Sequence, residues 1–359
     1  MKSIIHVVWS SGIGGIESLV LNLCMEQSKN SQLRVAIFTA KSGGPLSEAI
    51  KKNNIKLYEG DFKKGSLNIS SYKSCIEIFK NFDIIHIHSF NPIIAFAAIK
   101  SGKKIVYTEH GNFGFERKIN FTEKINRNLL STFINKHIDF ITFNSNFTQT
   151  TSLNRYGLSK TKKQVVYNGI VINSNSVKPT IGKSEIVIGT VGRLASVKRI
   201  DRLIEAFSNV KDLTNFKLQI IGDGPLRNTL EALVIERGIS SKVEFEGFRT
   251  NLNDYFENWD LVVIPSSGEA FGLVVLEAYN CGTPVAVFND GGGMIEIVQK
   301  CDPGLIVSSI DELVSLIESL PFVKEKLHAT YEKEKRKKLT YDFSITTMEK
   351  QLYSIYISL

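Results

Sequence analysis

Short apolar runs alternate with amphipathic stretches in the first half of the chain. The run IIHVVW (residues 4–9) has the composition of a buried strand, and the glycine-containing turn SSGIGG follows it. The next apolar residues recur at the i, i+3, i+4, i+7 spacing of an amphipathic helix: Ile16, Leu19, Val20 and Leu23. Further strands are predicted at residues 34–40, 81–89 and 103–111. Strands separated by helical stretches indicate βαβ units and a parallel sheet.

The same order of elements begins again after a polar stretch rich in serine and asparagine, residues 172–184. EIVIGTVG indicates a strand and a glycine turn, and a helical stripe follows at Ile200, Leu203, Ile204 and Phe207. Four later strands are predicted at residues 216–222, 242–247, 260–266 and 284–288. The pattern therefore predicts an α/β protein of two doubly wound, Rossmann-like domains, 1–172 and 173–340, facing a central cleft. A terminal helix within 341–359 is expected to pack back on the first domain.

Composition narrows the class of protein. Hydrophobic residues make up 43% and charged residues 22% of the 359 residues, as in globular domains. The apolar runs fall far below the roughly 18 residues of a membrane span, and the N-terminal run stops at Ser10, too early for a signal peptide. The four cysteines form no C-x-x-C pair, which argues against a zinc ribbon or a disulfide framework. We therefore expect a cytoplasmic protein.

The charge balance favours anionic partners. Lys and Arg number 44 against 36 Asp and Glu, a net charge of +8 that suits nucleotides, nucleic acid or an acidic membrane surface. The run EKEKRKK (residues 332–338) fits a solvated helix face better than a binding patch. No helix-turn-helix, zinc or RNA-recognition signature accompanies the charge, so a nucleic-acid-binding protein is disfavoured.

Two strand-to-helix turns carry candidate phosphate-binding groups. In the first, Gly14 and Gly15 let backbone N–H groups approach an anion at the positive end of a helix, although a tight turn explains these glycines equally well. The glycine spacing differs from the dinucleotide-binding pattern, which disfavours a dehydrogenase. In the second turn, Arg193 and Lys198 follow a strand, where two cations can neutralise a diphosphate. Solvation at the surface is the alternative for that pair taken alone.

The segment IPSSGEAFGLVVLEAYNCGTPV carries the strongest signal. Glu269 lies in the loop after a strand, and a helix is predicted to begin at the pair Phe271-Gly272. The amides available to an anion there belong to Phe271, Gly272 and Leu273. Glu277 lies on the helix between apolar neighbours, where a carboxylate without a partner is costly. Two glutamates beside an anion site suit hydroxyl groups rather than phosphate charge, which points to a sugar phosphate.

This segment resembles the E-x7-E motif of the retaining glycosyltransferases of family 4, which have the GT-B fold. The likeness extends over most of the chain, through segments that occur in the family's order: GIGGIE, YNGI, GTVGRLASVKRID, IIGDGPLR and VEFEGF. The resemblance implies that the first domain binds the acceptor and that the second binds the nucleotide sugar.

The resemblance also implies a role for each matched residue on the phosphate side. Gly14 and Gly15 would approach the donor phosphates, and Arg193 and Lys198 would hold the pyrophosphate as it leaves. The amides that would contact sugar and phosphate are those of Phe271, Gly272 and Leu273.

On the sugar side, Glu277 would accept hydrogen bonds from the ribose hydroxyls, and Glu269 would bind the 3- or 4-hydroxyl of the transferred sugar. His110 matches the family histidine beside that sugar. Phe248 and Arg249 would lie near the nucleobase.

The activity implied is transfer of a hexose or N-acetylhexosamine from a UDP-sugar, with a GDP-sugar as the alternative, to a hydroxyl of a glycan or lipid-linked acceptor. The pathway implied is bacterial surface polysaccharide synthesis: capsule, O-antigen or lipopolysaccharide. The sequence contains no D-x-D motif, so we expect a reaction without a divalent metal or another cofactor. A sugar-nucleotide epimerase of the same fold is the rival, disfavoured because no residue pair suits deprotonation of a sugar ring.

Histidines raise the question of a metal site. His86 and His88 share one strand face, and with His6 or His110 they resemble a ligand set. No carboxylate or cysteine accompanies them, so hydrogen-bonded histidines at a strand end are favoured over a metal.

The stretch after His110, residues 111–136, mixes aromatic side chains with cations: Arg117, Lys118, Lys124 and Arg127. It suits a lipid-linked phosphate or peripheral contact with the acidic inner face of the cytoplasmic membrane. An ordinary helical hairpin over the sheet is the equal alternative.

Overall fold

The computed structural model describes residues 1–12, 14–60, 62, 69–111, 121–157, 162–172 and 185–359. These residues form two units, each with its own parallel sheet. The first unit holds the described residues up to Val171 together with Ser344–Leu359, and the second holds those within Ile172–Phe343.

Parallel strands in the order β3-β2-β1-β4-β5-β6-β7 form the sheet of the first unit. The strands are β1 (Lys2–Val8), β2 (Leu33–Thr39), β3 (Lys56–Glu59), β4 (Ile84–Ile87), β5 (Lys104–Glu109), β6 (Phe140–Phe143) and β7 (Lys162–Val165). The sequence predicts β1, β2, β4 and β5, which lie side by side in the sheet and are buried over most of their length. It misses β6 and the two edge strands, β3 and β7, which carry exposed lysines.

Helices of the first unit connect these strands. They are α1 (Gly15–Gln27), α2 (Leu46–Lys52), α3 (Ile69–Lys80), α4 (Pro92–Ser101), α5 (Phe121–His137) and α6 (Asn146–Tyr156). The predicted stripe on α1 buries Leu19 and Leu23 completely or nearly so. These leucines pack with Ile4 of β1 and Ile84 of β4 in one apolar cluster.

The second unit repeats the plan with the strand order β10-β9-β8-β11-β12-β13. Its strands are β8 (Ile186–Val191), β9 (Phe216–Ile221), β10 (Val243–Gly247), β11 (Leu261–Ile264), β12 (Val285–Phe288) and β13 (Ile306–Val307). Its helices are α7 (Ile200–Ser208), α8 (Arg227–Glu236), α9 (Asn253–Asn258), α10 (Leu273–Asn280), α11 (Met294–Cys301), α12 (Ile310–Leu327) and α13 (Thr330–Asp342). The predicted stripe of α7 is buried in the core of this unit.

The last helix, α14 (Ile345–Ile357), belongs to the first unit. The Ile345 amide donates to the Ile170 carbonyl at 2.8 Å, and α14 packs against α1. Leu352 and Tyr356 of α14 are fully buried in the cluster that contains Ile4. In the part of the chain that the structure describes, no helix is long and apolar enough to cross a bilayer.

Candidate active site

The carboxyl ends of β8 and β11 bring two predicted segments together in the second unit. These strands are parallel neighbours, with Leu261 opposite Ile188, so the turns that follow them leave the same edge of the sheet. The Ser267 amide donates to the Val197 carbonyl at 3.0 Å, which ties the loop after β11 to the turn after β8. The cationic turn and the E-x7-E loop are therefore adjacent.

An ion pair joins the two segments. Lys198 Nζ lies 2.6 Å from Glu269 Oε2, and the two side chains keep 22% and 25% of their surfaces exposed. The sequence places Lys198 at a phosphate and Glu269 at a sugar, and it gives no sign that the two side chains pair. Arg193, in the same turn, is exposed and makes no ion pair within the described residues. One cation of the turn is thus held by a carboxylate, and the other is open to an anion.

Glu277 lies on helix α10 between two apolar residues. Helix α10 buries the residues beside it, Leu276 and Ala278, completely. Burial raises the pKa of the Glu277 carboxyl above its usual value, because the charged form loses hydration. No protein donor or cation meets this carboxylate among the residues that the structure describes. A partly buried carboxylate with a raised pKa and no partner in the described structure is a candidate ligand-binding group.

The start of α10 depends on a glycine. Gly272 has φ of +96°, and a Cβ at this position would overlap the Met294 side chain, so the turn requires glycine on both counts. The Phe271 ring is only 2% exposed and lies 6.0 Å from the Phe343 ring, between centroids. The ring therefore belongs to the core. Phe271, Gly272 and Leu273 are expected to bind an anion through their amides. For Phe271 the main chain alone can do so, because its side chain is buried.

A second glycine-rich loop, after β12, holds the Glu269 segment in place. The Gly293 amide donates to the Glu269 carbonyl at 2.8 Å, and the Gly268 amide donates to the Asp290 carbonyl at 2.7 Å. Arg202 of α7 donates to the Asp290 carboxylate at 3.1 Å and to the Pro265 carbonyl. This support is not among the features predicted from the sequence. The signal available was the run NDGGG directly after a strand, the same kind of turn that drew attention to Gly14.

Phe248 and Arg249 lie after β10. Phe248 is 58% exposed, an unusual state for a phenylalanine. Arg249 Nη2 lies 2.9 Å from Glu246 Oε2, and its Nε donates to the Tyr255 hydroxyl at 3.1 Å. An exposed ring beside an oriented guanidinium offers stacking and hydrogen bonding to a planar ligand.

In the first unit, Gly14 and Gly15 begin α1, as the sequence predicts. Gly14 is the N-cap in an extended conformation with φ of −147°, so its backbone does not require glycine. A Cβ on Gly15 would meet nothing within 4 Å in the described structure. Internal packing therefore gives no reason for glycine at position 15, whereas the approach of a ligand would.

Buried histidines form a hydrogen-bonded run beside β1, β4 and β5. His6 Nε2 lies 2.8 Å from Gln27 Oε1, and His6 Nδ1 lies 2.9 Å from His88 Nε2. His88 Nδ1 lies 3.0 Å from His110 Nε2. We call this set, Gln27, His6, His88 and His110, the histidine chain. His86 packs against it, 4.1 Å from the His88 ring between centroids.

Burial keeps these rings neutral. It lowers the pKa of His6 and of His110 to about 4, and it lowers the pKa of His86 and His88 well below the usual value of 6.5. Neighbouring histidines lower the last two pKa values further, because one positive ring disfavours the next. At neutral pH each ring thus has one N–H and one lone pair.

The same geometry bears on the metal question. His6, His86 and His88 have ring nitrogens that lie within 4.8 Å of one another. All six of those nitrogens already have protein partners: those of His86 lie 2.6 Å from the Tyr356 hydroxyl and 2.6 Å from Thr108 Oγ1. A metal would have to displace these bonds. The arrangement favours hydrogen-bonded histidines, as the sequence analysis does.

Glu109, the last residue of β5, is a buried acid that the sequence analysis misses. Its Oε1 accepts from the Gly111 amide at 2.9 Å, and its Oε2 accepts from the Tyr107 hydroxyl at 3.3 Å. Burial raises the pKa of Glu109. The segment after His110 was expected to bind the acceptor, but residues 112–120, including Arg117 and Lys118, lie outside the described residues. Lys124, in helix α5 after these residues, is exposed.

Family models match both halves of the chain. The model of glycosyl transferases group 1 matches residues 171–338, and that of glycosyltransferase family 4 matches residues 13–174. An uncharacterised glycosyltransferase of Methanocaldococcus jannaschii is 40% identical over 152 residues, which are 38% of this chain and 39% of that protein. The chain therefore spans well under half the length of this relative.

Two further similarities cover the whole chain. The UDP-Gal:alpha-D-GlcNAc-diphosphoundecaprenol alpha-1,3-galactosyltransferase of Escherichia coli is 24% identical, over 99% of this chain and 97% of that protein. The crystal structure of an Anabaena protein in complex with UDP and glucose superimposes with a TM-score of 0.83 at 20% identity, over 100% of both chains. The structural likeness shows the fold that the sequence analysis predicts, GT-B.

Proposed function

The chain belongs to the family 4 glycosyltransferases, and we propose that it transfers a hexose or N-acetylhexosamine, with retention, from a UDP-sugar to a lipid-linked or glycan acceptor. The observation that carries the donor assignment is the pair of glutamates around the anion-binding turn. Glu277 is partly buried and has no protein partner among the described residues, and Glu269 is held beside Lys198. Hydroxyl groups of a nucleotide sugar provide the donor that the Glu277 carboxylate lacks and a further donor to Glu269, which already accepts from Lys198.

The second unit has to stabilise the charge that develops on the leaving group. When the bond between the sugar C1 and the phosphate oxygen breaks, negative charge develops on the pyrophosphate. We propose that Arg193, Lys198 and the first amides of α10 stabilise that charge. These groups sit on turns that the sheet and the Arg202–Asp290 contact hold in position, so little reorganisation is needed during the reaction.

Retention follows from same-face attack. The acceptor hydroxyl oxygen forms a bond to C1 on the face from which the pyrophosphate departs, and its proton passes to the leaving phosphate oxygen. The products are the glycosylated acceptor and a nucleoside diphosphate. No enzyme nucleophile is required, and we assign none. We propose that His110 contacts the transferred sugar and that Glu269 orients one of its hydroxyls.

The first prediction concerns the nucleotide and the metal. UDP at about 100 times its dissociation constant is expected to stabilise the protein by roughly 2.7 kcal/mol, which shifts the melting temperature by about 5 °C or more. The shift should be the same in chelator and in Mg²⁺, because protein cations serve the phosphates. Parallel melts with GDP, ADP, CMP and NAD identify the base. A shift with GDP alone would change the donor, and a shift that requires Mg²⁺, or none at all, would contradict the proposal.

The Escherichia coli relative is named for an acceptor carried on diphosphoundecaprenol. We propose a lipid-linked acceptor in bacterial surface polysaccharide synthesis and peripheral binding to the membrane that holds it. The net charge of +8 supplies the attraction to acidic lipid.

Vesicle sedimentation tests the membrane proposal. The protein should sediment with phosphatidylglycerol vesicles at low salt and be released at about 0.5 M salt, where charges are screened within a few ångströms. Phosphatidylcholine vesicles are the matched control and should retain none of it. Protein that stays in the supernatant with both lipids at low salt would contradict peripheral binding.

A further inference from the structure

The histidine chain has a direction, and its direction is set at Gln27. As the Gln27 amide is oriented, its oxygen lies 2.8 Å from His6 Nε2, and because an amide oxygen only accepts hydrogen bonds, this orientation places a proton on His6 Nε2. A neutral ring has one proton, and His6 Nδ1 is therefore an acceptor for His88 Nε2–H. The same reasoning makes His88 Nδ1 the acceptor for His110 Nε2–H.

The histidine chain ends at the Nδ1 atom of His110. With its proton on Nε2, His110 presents an unprotonated Nδ1. This atom is buried and has no hydrogen-bond partner among the described residues. A buried acceptor without a partner is uncommon in proteins and calls for a ligand that donates to it.

We propose that Gln27, His6 and His88 are positioning residues that hold His110 as the Nε2–H tautomer, so that Nδ1 accepts a hydrogen bond from a hydroxyl of the transferred sugar. The inference rests on the proposed function, since it takes His110 to lie beside that sugar. The inference assigns a positioning role to three residues, Gln27 in α1, His6 in β1 and His88 after β4. Together they fix the tautomer of His110. If the tautomer were free to change, a share of the molecules would present Nδ1–H, which cannot accept a hydrogen bond from the hydroxyl.

The neighbourhood of the chain contains a matched control. Thr142 of β6 is fully buried, and its Oγ1 lies 2.6 Å from Thr108 Oγ1. Thr108 bonds to His86, which packs beside the chain but is no link in it. Thr142→Val thus disturbs a buried hydrogen bond near the histidines and leaves every link from Gln27 to His110 in place.

Ring ¹⁵N NMR of histidine-labelled protein reads the tautomer directly. We expect a single Nε2–H tautomer for His110 in the native protein at pH 7, with its signals assigned by their loss in His110→Gln. Gln27→Met keeps the volume and removes the acceptor, and we expect a mixture of His110 tautomers in that variant. Thr142→Val should retain the native spectrum. A native protein with the proton on Nδ1, or Gln27→Met with an unchanged tautomer, would overturn the proposal.

The ligand end is tested by titration with UDP-glucose and UDP-N-acetylglucosamine, compared with UDP. The Nδ1 signal of His110 should shift with a sugar nucleotide and stay in place with UDP, which lacks the sugar. Gln27→Met should lower kcat/KM by about 3- to 10-fold, the range for one neutral hydrogen bond, with Thr142→Val unchanged. A sugar nucleotide that binds without moving Nδ1 would overturn the inference alone. Failure to bind any nucleotide would overturn the proposed function, while the tautomer measurement still decides the role of Gln27.

Discussion

The Glu277→Ala variant is expected to lose about 100- to 10,000-fold in kcat/KM for the nucleotide sugar, with a melting temperature that stays level or rises. Two charge-assisted hydrogen bonds to ribose hydroxyls contribute roughly 1.5–3 kcal/mol each, and about 1.4 kcal/mol corresponds to a tenfold change. Steady-state kinetics with a saturating acceptor measure the loss.

The stability of the same variant separates a ligand-binding role from a structural one. The pKa of Glu277 in the folded protein lies above the value of 4.5 that it has when exposed. The folded state therefore loses stability as the pH rises from 4.5 through the raised pKa, because the unfolded chain ionises first. At pH 7 the carboxylate is therefore a destabilising group, and its removal relieves the cost. Alanine also has the highest helix propensity, which suits α10.

Asp302 provides the matched control for Glu277. It is a buried carboxylate of the second unit, and unlike Glu277 it has a partner: it accepts from Arg336 Nε at 2.7 Å and from Nη2 at 3.0 Å. Because the Arg336 side chain is 0% exposed, Asp302→Asn leaves a buried charge without its partner and should cost about 3–5 kcal/mol of stability. If Glu277→Ala instead lost stability like Asp302→Asn and kept a near-normal rate, Glu277 would be a structural residue.

The Lys198→Ala variant should lose about 1,000-fold in kcat, the second large effect. Its ammonium group is the partly buried cation of the turn after β8, and preorganised positive charge at a leaving group is worth about 100- to 1,000-fold per group. The variant also leaves Glu269 without the partner that lies 2.6 Å away in the ligand-free protein, so the sugar-binding carboxylate loses its orientation.

Arg199→Ala is the control for charge. It removes one positive charge from the same turn, but Arg199 is 42% exposed and pairs with Asp201. Its rate should stay within a factor of about three, since exposed ion pairs contribute little. Lys198→Arg keeps the charge in a different shape and should recover part of the rate. Equal losses in Lys198→Ala and Arg199→Ala would show that net charge, and not the position of Lys198, carries the effect.

The amino-acid sequence predicts the fold class because buried parallel strands and amphipathic helices leave local signatures. Ile4–Val8 and Leu261–Ile264 are buried throughout and, apart from His6, apolar, because both faces of their sheets are covered. The strand KKQV, at the end of its sheet, has exposed lysines and leaves no such signature. The candidate residues at strand ends could be found for the same reason, since the turns after parallel strands gather at one edge.

Pairings between distant side chains arise only in the folded chain. Lys198 and Glu269 are separated by 71 positions, and the sequence assigns them to different parts of a ligand without indicating that they touch. His86 meets Tyr356 across 270 positions, and Gln27 reaches His6 across 21. The identity of each residue determines whether it can donate, accept or carry charge. Only the close packing of strands and helices from separate segments decides which of those groups face one another, and hence which buried atoms are satisfied and which are left for a ligand.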